Sequence, residues 1–265
     1  MTYTLGIIGG GNMGQAIVRG AIGAGVIEPA RILVAEIDAT RREQVGRLGC
    51  ATSDDPAAAL GAEVILLAVK PQSFPEVAGA IAPLSRPTVV ISIMAGIGSG
   101  SIRGALGEAA RVVRVMPNLP CQIGAGMTAI ALGAGAEPGD ERLTRSIFGA
   151  VGETTMVDES QMYAVTAVSG SGPAYVFLLA EAMQEAAVAL GIEPATARLL
   201  VVQTIIGAGR LLGEADEDAA ALRRAVTSPG GTTEAALKVM FERGLPQHIA
   251  DAVTAARDRG VELDQ

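Results

Sequence analysis

The stretch Leu5-Gly6-Ile7-Ile8-Gly9-Gly10-Gly11-Asn12-Met13-Gly14 decides the fold. An apolar run ends in glycines at 9, 11 and 14, the G-x-G-x-x-G spacing, and a helix-like segment follows at 13–24. Each glycine has a separate physical task. Gly9 permits a tight turn, Gly11 lets the backbone approach a pyrophosphate, and Gly14 lets a helix pack close to the strand. The helix start, with Asn12 and Met13, stabilises the anion. The spacing by itself is weak; at the first strand–helix turn of an alternating chain it is a strong dinucleotide signal.

The alternation continues outward from that turn. Residues 4–9, 31–36, 64–69, 88–93 and 112–116 read as strands, almost uniformly apolar, as a sheet covered on both faces requires. Between them, 13–24, 40–48, 72–84 and 101–106 read as helices, with Pro75 in the first turn of the third. This predicts a Rossmann-type, doubly wound parallel sheet over residues 1–159. Segments 127–132 and 154–157 extend it around a helix at 140–151. Beyond Glu159 strand-like runs vanish, and 172–190, 194–212, 216–226, 232–243 and 246–259 read as helices. The second predicted domain, 160–265, is all-helical. Its segment 199–212 is apolar on most sides, which a surface helix should not be. It is either central in its own bundle or packed against another subunit.

Composition narrows the function class. Of 265 residues, 49% are apolar, so a sizeable core can form, although Trp is absent and the aromatic fraction is 3%. A net charge of −8 excludes a general nucleic-acid binder but not an anion site built from backbone amides. Cys50 and Cys121 stand apart with no His nearby, which indicates neither a metal site nor a disulfide framework. No basic leader precedes the first strand. Glu181 and Glu185 interrupt the apolar stretch 175–190, and 198–212 is shorter than a membrane span. A cytoplasmic protein without a membrane segment is expected.

In an open parallel sheet, ligands lie beyond the carboxyl ends of the strands. Glu36 ends the second strand, 22 residues after Gly14, where a carboxylate can accept from ribose hydroxyls and repel a 2′-phosphate. That favours NADH over NADPH, with Arg41 and Arg42 placed to compensate. Its alternative role is a solvent-facing strand end. Ala68-Val69-Lys70-Pro71 follow the third long strand. Lys70, one of two lysines in the chain, is either a cofactor contact or a solvated loop residue. Ser92–Gly96, with Ala95, and Asn118 are candidates to line the nicotinamide side.

Dinucleotide domains serve many reactions, so the first half does not identify one. Val226-Thr227-Ser228-Pro229-Gly230-Gly231-Thr232-Thr233 resembles the signature loop of pyrroline-5-carboxylate reductases, and Ser169-Gly170-Ser171-Gly172-Pro173-Ala174-Tyr175 resembles that family's motif where the helical domain starts. Segments 9–17, 68–71 and 115–120 also look like its cofactor side, in the same order over essentially the whole chain. Leu119, where members often carry Thr, and Glu36, where many NADPH-using members carry a small polar residue, depart from the pattern.

The resemblance implies reduction of 1-pyrroline-5-carboxylate to L-proline, the last step of proline biosynthesis, with NADH or NADPH as cofactor. It implies that Thr233 and Ser228 are the catalytic residues, that Thr233 hydrogen-bonds the ring nitrogen, that Ser228 and the backbone of Gly231 and Thr232 hold the substrate carboxylate, and that Gly230 belongs to the same substrate-binding loop. It also implies intertwined homodimers through the helical domain, and allows assembly into a larger ring. Read without it, loop 228–233 is equally a capped turn between helices. The chemistry agrees with what the chain lacks. Reducing a carbonyl calls for an acid near the developing alkoxide, and the helical half offers only Lys238 and His248. A cyclic imine is basic, can be protonated in solution, and then needs chiefly orientation. Two other readings compete: a 3-hydroxyacid dehydrogenase of the same plan, with Lys238 as acid/base, and a non-catalytic nucleotide-binding regulator.

Overall fold

The computed structural model describes residues 3–264 and divides into two compact units, Met1–Ser171 with Ala255–Gln265, and Gly172–Thr254. The first unit is built on eight strands: β1 (Tyr3–Ile8), β2 (Ile32–Ala35), β3 (Ala51–Ser53), β4 (Ala62–Leu67), β5 (Thr88–Ser92), β6 (Ala110–Pro117), β7 (Gly126–Leu132) and β8 (Gly152–Met156). They form one sheet in the order β3-β2-β1-β4-β5-β6-β7-β8. The connecting helices are α1 (Asn12–Gly23), α2 (Ala39–Gly46), α3 (Phe74–Ile81), α4 (Ser99–Leu106) and α5 (Glu141–Gly149).

The apolar strands are explained by their two covers. Ile7, Leu66, Ile91 and Val113 enter a core with Ile17 and Phe148, while their neighbours Ile8, Leu67, Val90 and Val112 enter a second core with Phe74 and Ile102. Successive side chains point to opposite faces, so a strand buried on both faces is apolar throughout.

Two features depart from expectation. β3 is a three-residue strand that pairs only with β2, and Ala-Thr-Ser carries no apolar run to announce it. The sheet is also not wholly parallel: β7 runs antiparallel to β6, and β8 is parallel to β7. The connection at 118–125, a short 3-10 turn ended by Gly124 at φ 73°, explains the reversal. A parallel crossover needs about a dozen residues or more.

After β8 the chain forms α6 (Met162–Val165) and a π-helical turn at Thr166–Gly170, neither anticipated. The second unit holds α7 (Gly172–Ala189), α8 (Pro194–Glu214), α9 (Ala219–Ala225) and α10 (Thr232–Glu242). α11 (Leu245–Glu262) begins in this unit and ends in the first. Pro194 occupies the first turn of α8, and Glu193 caps it by accepting from the Thr196 N–H at 3.0 Å. At 21 residues α8 is long enough to cross a membrane, so the length argument drawn from 198–212 does not hold. Within the chain only Ala197 and Val201 of this helix are buried. Leu199, Leu200, Ile206, Leu211 and Leu212 are exposed, as are Phe177, Leu178 and Leu179 of α7. The central-helix reading of 199–212 therefore fails within a single chain.

Candidate active site

The loop between β1 and α1 gives Gly9 and Gly14 the steric tasks their spacing predicts and leaves space at Gly11. Gly9 adopts φ 109°, and a Cβ there would lie 2.5 Å from the Ala68 carbonyl oxygen. A Cβ on Gly14 would sit 2.3 Å from the Gly9 carbonyl oxygen, so the helix meets the loop as closely as backbone allows. A Cβ on Gly11 would meet nothing within 4 Å. That open position is the N-cap of α1, which no side chain caps, and the amides of Asn12, Met13 and Gly14 have no hydrogen-bond partner among the described residues. A cradle that is tight at 9 and 14 and empty at 11 fits a pyrophosphate.

Glu36 is buried, not solvent-facing. Its Oε2 accepts from Gly10 N–H at 2.7 Å and its Oε1 from Asp38 N–H at 2.9 Å. The carboxylate thus ties the end of β2 to the middle of the glycine loop. A carboxylate has about four acceptor positions, so capacity remains for ribose hydroxyls. Two polar side chains reinforce this corner, Gln15, which the sequence did not single out, and Arg42, which the sequence placed only as a counter-charge to Glu36. Gln15, buried in α1, donates to the Gly10 carbonyl at 2.9 Å, and Arg42 donates to the carbonyls of Glu36 and Ile37 at 2.8 and 3.0 Å. A buried Gln in a helix after a glycine loop is the signal that would have found the first. Arg42 also lines an open cavity of about 450 Å³ with Glu43, Arg47 and Thr52.

The remaining cofactor candidates gather at the carboxyl ends of the parallel strands. Ala68 N–H donates to the Ile8 carbonyl at 2.8 Å, which places Ala68 and Val69 against the glycine loop. Lys70 is exposed before a 3-10 turn that starts at Pro71, and no carboxylate among the described residues pairs with it. Ala95 is exposed in the turn after β5. Asn118 is anchored: its Oδ1 accepts from Met127 N–H at 2.9 Å and its Nδ2 reaches Ser169 Oγ at 3.4 Å. Both cysteines are buried, and burial pushes the Cys50 thiol up to about 11, which suits a packing role over a nucleophilic one.

The second unit carries loop 228–233. Gly230 turns at φ 70° and Gly231 is the N-cap of α10, again without a capping side chain. The amides of Thr232 and Thr233 therefore project from an uncapped helix start, and the Ser228 and Thr233 hydroxyls have no hydrogen-bond partner among the described residues. Gly230, like Gly231 whose N–H bonds to the Ser228 carbonyl at 3.0 Å, has its amide occupied. Its N–H is held by Glu234 Oε2 at 2.8 Å, so it is not offered to an anion. Glu234, three residues after the N-cap Gly231, thus reaches one residue past the N-cap, where a capping box would hold the N-cap's own N–H. Beside the loop lies a cavity of about 610 Å³ lined by Arg223, Arg224, Gly231, Lys238 and Phe241. Arg223 stacks on Phe241 at 5.3 Å from the ring centre. Lys238 is exposed and lies 3.9 Å from Glu242 on the same helix, and His248 is exposed on α11. Both sit as solvated surface groups do.

Comparison with known proteins covers the whole chain. The family model for pyrroline-5-carboxylate reductase dimerisation matches residues 159–263, and a model described as NADP oxidoreductase, coenzyme F420-dependent, matches residues 4–96. Pyrroline-5-carboxylate reductase from Synechocystis is 41% identical, with 99% of each chain covered, and that from Haemophilus influenzae is 40% identical, with 98% of this chain and 97% of the relative covered. Among solved structures, a pyrroline-5-carboxylate reductase from Coxiella burnetii superposes with a TM-score of 0.90 at 39% identity over 100% of both chains. The Plasmodium falciparum pyrroline carboxylate reductase with NADP bound superposes with a TM-score of 0.88 at 27% identity, covering 99% and 98%.

Proposed function

Because the chain belongs to the pyrroline-5-carboxylate reductase family, we propose that it reduces 1-pyrroline-5-carboxylate to L-proline and that loop 228–233 holds the substrate. The observation that carries the loop's role is the uncapped start of α10. The Thr232 and Thr233 amides open that helix, and neither they nor the Ser228 and Thr233 hydroxyls have a hydrogen-bond partner among the described residues. Backbone amides at a helix N-terminus hold a carboxylate without a lysine or arginine. The Gly231 N–H already bonds to the Ser228 carbonyl at 3.0 Å, so Gly231 serves through its lack of a side chain. Gly230 likewise shapes the loop, its own N–H being held by Glu234.

The reaction asks little acid–base chemistry of the protein. The basic imine can be protonated before it binds, and the Thr233 hydroxyl hydrogen-bonds its ring nitrogen and fixes the ring's orientation. When bound, the nicotinamide supplies the hydride. The protein's own contribution to cofactor binding is the cradle at Gly9, Gly11 and Gly14 with the amides of Asn12 and Met13, joined by Glu36, segment 68–71, Ala95 and Asn118. Glu36 favours NADH by repelling a 2′-phosphate, and Arg41 and Arg42 offset part of that preference.

Residues 1–159 serve the cofactor, and 160–265 serve substrate binding and dimerisation. The exposed apolar sides of α7 and α8 support a homodimer through the helical part and account for these helices without a membrane, in a cytoplasmic enzyme. Steady-state kinetics with 1-pyrroline-5-carboxylate, comparing NADH with NADPH, tests the function. Turnover with either cofactor is the expected result. Binding of NADH with no turnover of any cyclic imine would leave only a nucleotide-binding regulator. Near-full activity in Lys238→Ala is expected too, and would exclude a hydroxyacid dehydrogenase with Lys238 as its acid.

A further inference from the structure

The segment leaving β5 descends to α4 through residues 93–98 and is fixed at both ends by different means. At its upper end Ile93 N–H donates to the Leu67 carbonyl at 3.2 Å, Met94 N–H donates to Ser92 Oγ at 3.3 Å, and Met94 is buried. At its lower end the partners come from the far end of the chain. Asp264 Oδ1 accepts from Gly98 N–H at 2.5 Å, although the two residues are 166 positions apart. Gly98 is the N-cap of α4 and has no side chain to cap with, so Asp264 supplies an acceptor at that helix start.

Two glycines record the same contact. A Cβ on Gly96, itself at φ 72°, would lie 2.9 Å from the Leu263 Cβ, and a Cβ on Gly98 would lie 2.9 Å from Asp264 Oδ2. Consecutive residues of the C-terminal segment thus occupy the side-chain space of two glycines in this loop. The other oxygen of Asp264 accepts from the Tyr163 hydroxyl. Tyr163 lies beneath the Arg114 guanidinium, 5.5 Å from its ring centre, and Arg114 pairs with Glu159 at 3.2 Å. Glu159 in turn accepts from Ser99 N–H at 2.9 Å and from Ser99 Oγ at 2.6 Å. Burial, then the Asp264 bond, pushes the Tyr163 phenol above its ordinary range, so it stays a donor. Between the two anchored ends stands Ala95, exposed, one of the residues assigned above to the nicotinamide side.

We propose that Leu263 and Asp264 are positioning residues for the cofactor site, holding segment 95–98 in the shape that receives the nicotinamide end of the cofactor. The proposal rests on the cofactor reading given above. An anchor of this kind acts on nucleotide affinity and leaves loop 228–233 unaffected, which separates it from a purely structural helix cap.

The test uses three forms of the full enzyme: wild type, Asp264→Ala, and a chain lacking residues 263–265. NADH and NADPH dissociation constants come from nucleotide fluorescence, and Michaelis constants for the imine at saturating cofactor come from kinetics. Truncation should weaken nucleotide binding roughly ten-fold, the scale of one lost charge-assisted hydrogen bond. Asp264→Ala should weaken it at least three-fold, with the imine Michaelis constant within two-fold of wild type in both. A nucleotide dissociation constant raised less than three-fold in both variants would overturn the proposal, whatever the change in melting temperature. So would a parallel rise in the imine constant, which would mark general loosening. The fluorescence measurement needs no imine turnover, so a wild type that binds nucleotide without reducing the imine would sink the function and leave this proposal standing or falling on nucleotide affinity.

Discussion

Glu36→Gln separates two duties that the structure combines in one side chain. The carboxylate is 8% exposed and accepts from Gly10 N–H at 2.7 Å and Asp38 N–H at 2.9 Å. Glutamine keeps one acceptor oxygen and turns an NH₂ toward the other amide. One buried hydrogen bond is lost and two donors face each other, at a cost of about 1–3 kcal/mol. At about 2–4 °C per kcal/mol for a chain of this size, the melting temperature should fall by roughly 2–12 °C. The second effect is electrostatic. A unit charge about 6 Å from a 2′-phosphate charge, at an effective dielectric of about 20–40, is worth about 1.5–3 kcal/mol. Removing it should raise the ratio of kcat/KM for NADPH over NADH about ten-fold to a hundred-fold. The assay is steady-state kinetics with both cofactors beside a thermal melt. Glu36→Ser would be a poorer probe, because it removes both acceptors and mixes the effects. A melting temperature that falls with a cofactor ratio within two-fold of wild type would refute the reasoning, and would reduce Glu36 to a brace for the glycine loop.

Three further outcomes are expected. Thr233→Ala should lower turnover at saturating imine by roughly ten-fold to a thousand-fold, while proline still inhibits, because the backbone amides of the loop remain; wild-type turnover would remove Thr233 from the reaction. Ile206→Glu places a charge on the exposed apolar side of α8 and should dissociate or unfold the protein by light scattering; a wild type already monomeric at micromolar concentration would defeat the dimer assignment. Arg114→Leu removes the ion pair to Glu159 but leaves that carboxylate its two bonds from Ser99, and should cost about 1–3 kcal/mol in a denaturant titration; a loss within error would show that the pair carries no stability.

The strands of the first unit were legible because burial on both faces demands unbroken apolar runs, as at Ile7 and Ile8 or Val112 and Val113. β3 was not, since Ala51–Ser53 is short, lies on the sheet's edge and buries little. The reversal at β7 was readable in principle: no crossover helix fits into 118–125. The π turn at Thr166–Gly170 leaves no periodic signature to find. In the site, glycine spacing foretold the turn at Gly9 and the close packing at Gly14 because those tasks are steric and local. It did not foretell that Glu36 braces Gly10 across 26 positions, because a long-range hydrogen bond depends on where β2 lies beside β1. The Asp264 contact was out of reach for the same reason.

The uncovered apolar sides of α7 and α8 make this protein's durability a matter of mass action. Where a second copy covers those sides, as proposed, the stability of the chain depends on its concentration. Each ten-fold rise in concentration deepens the assembled state by about 1.4 kcal/mol per dimer. The thermal midpoint should therefore climb with protein concentration. A newly made chain at low abundance passes through a period in which Phe177, Leu178 and Leu199 are open to whatever it meets first. The lifetime of the enzyme is then set by how often its chains find one another.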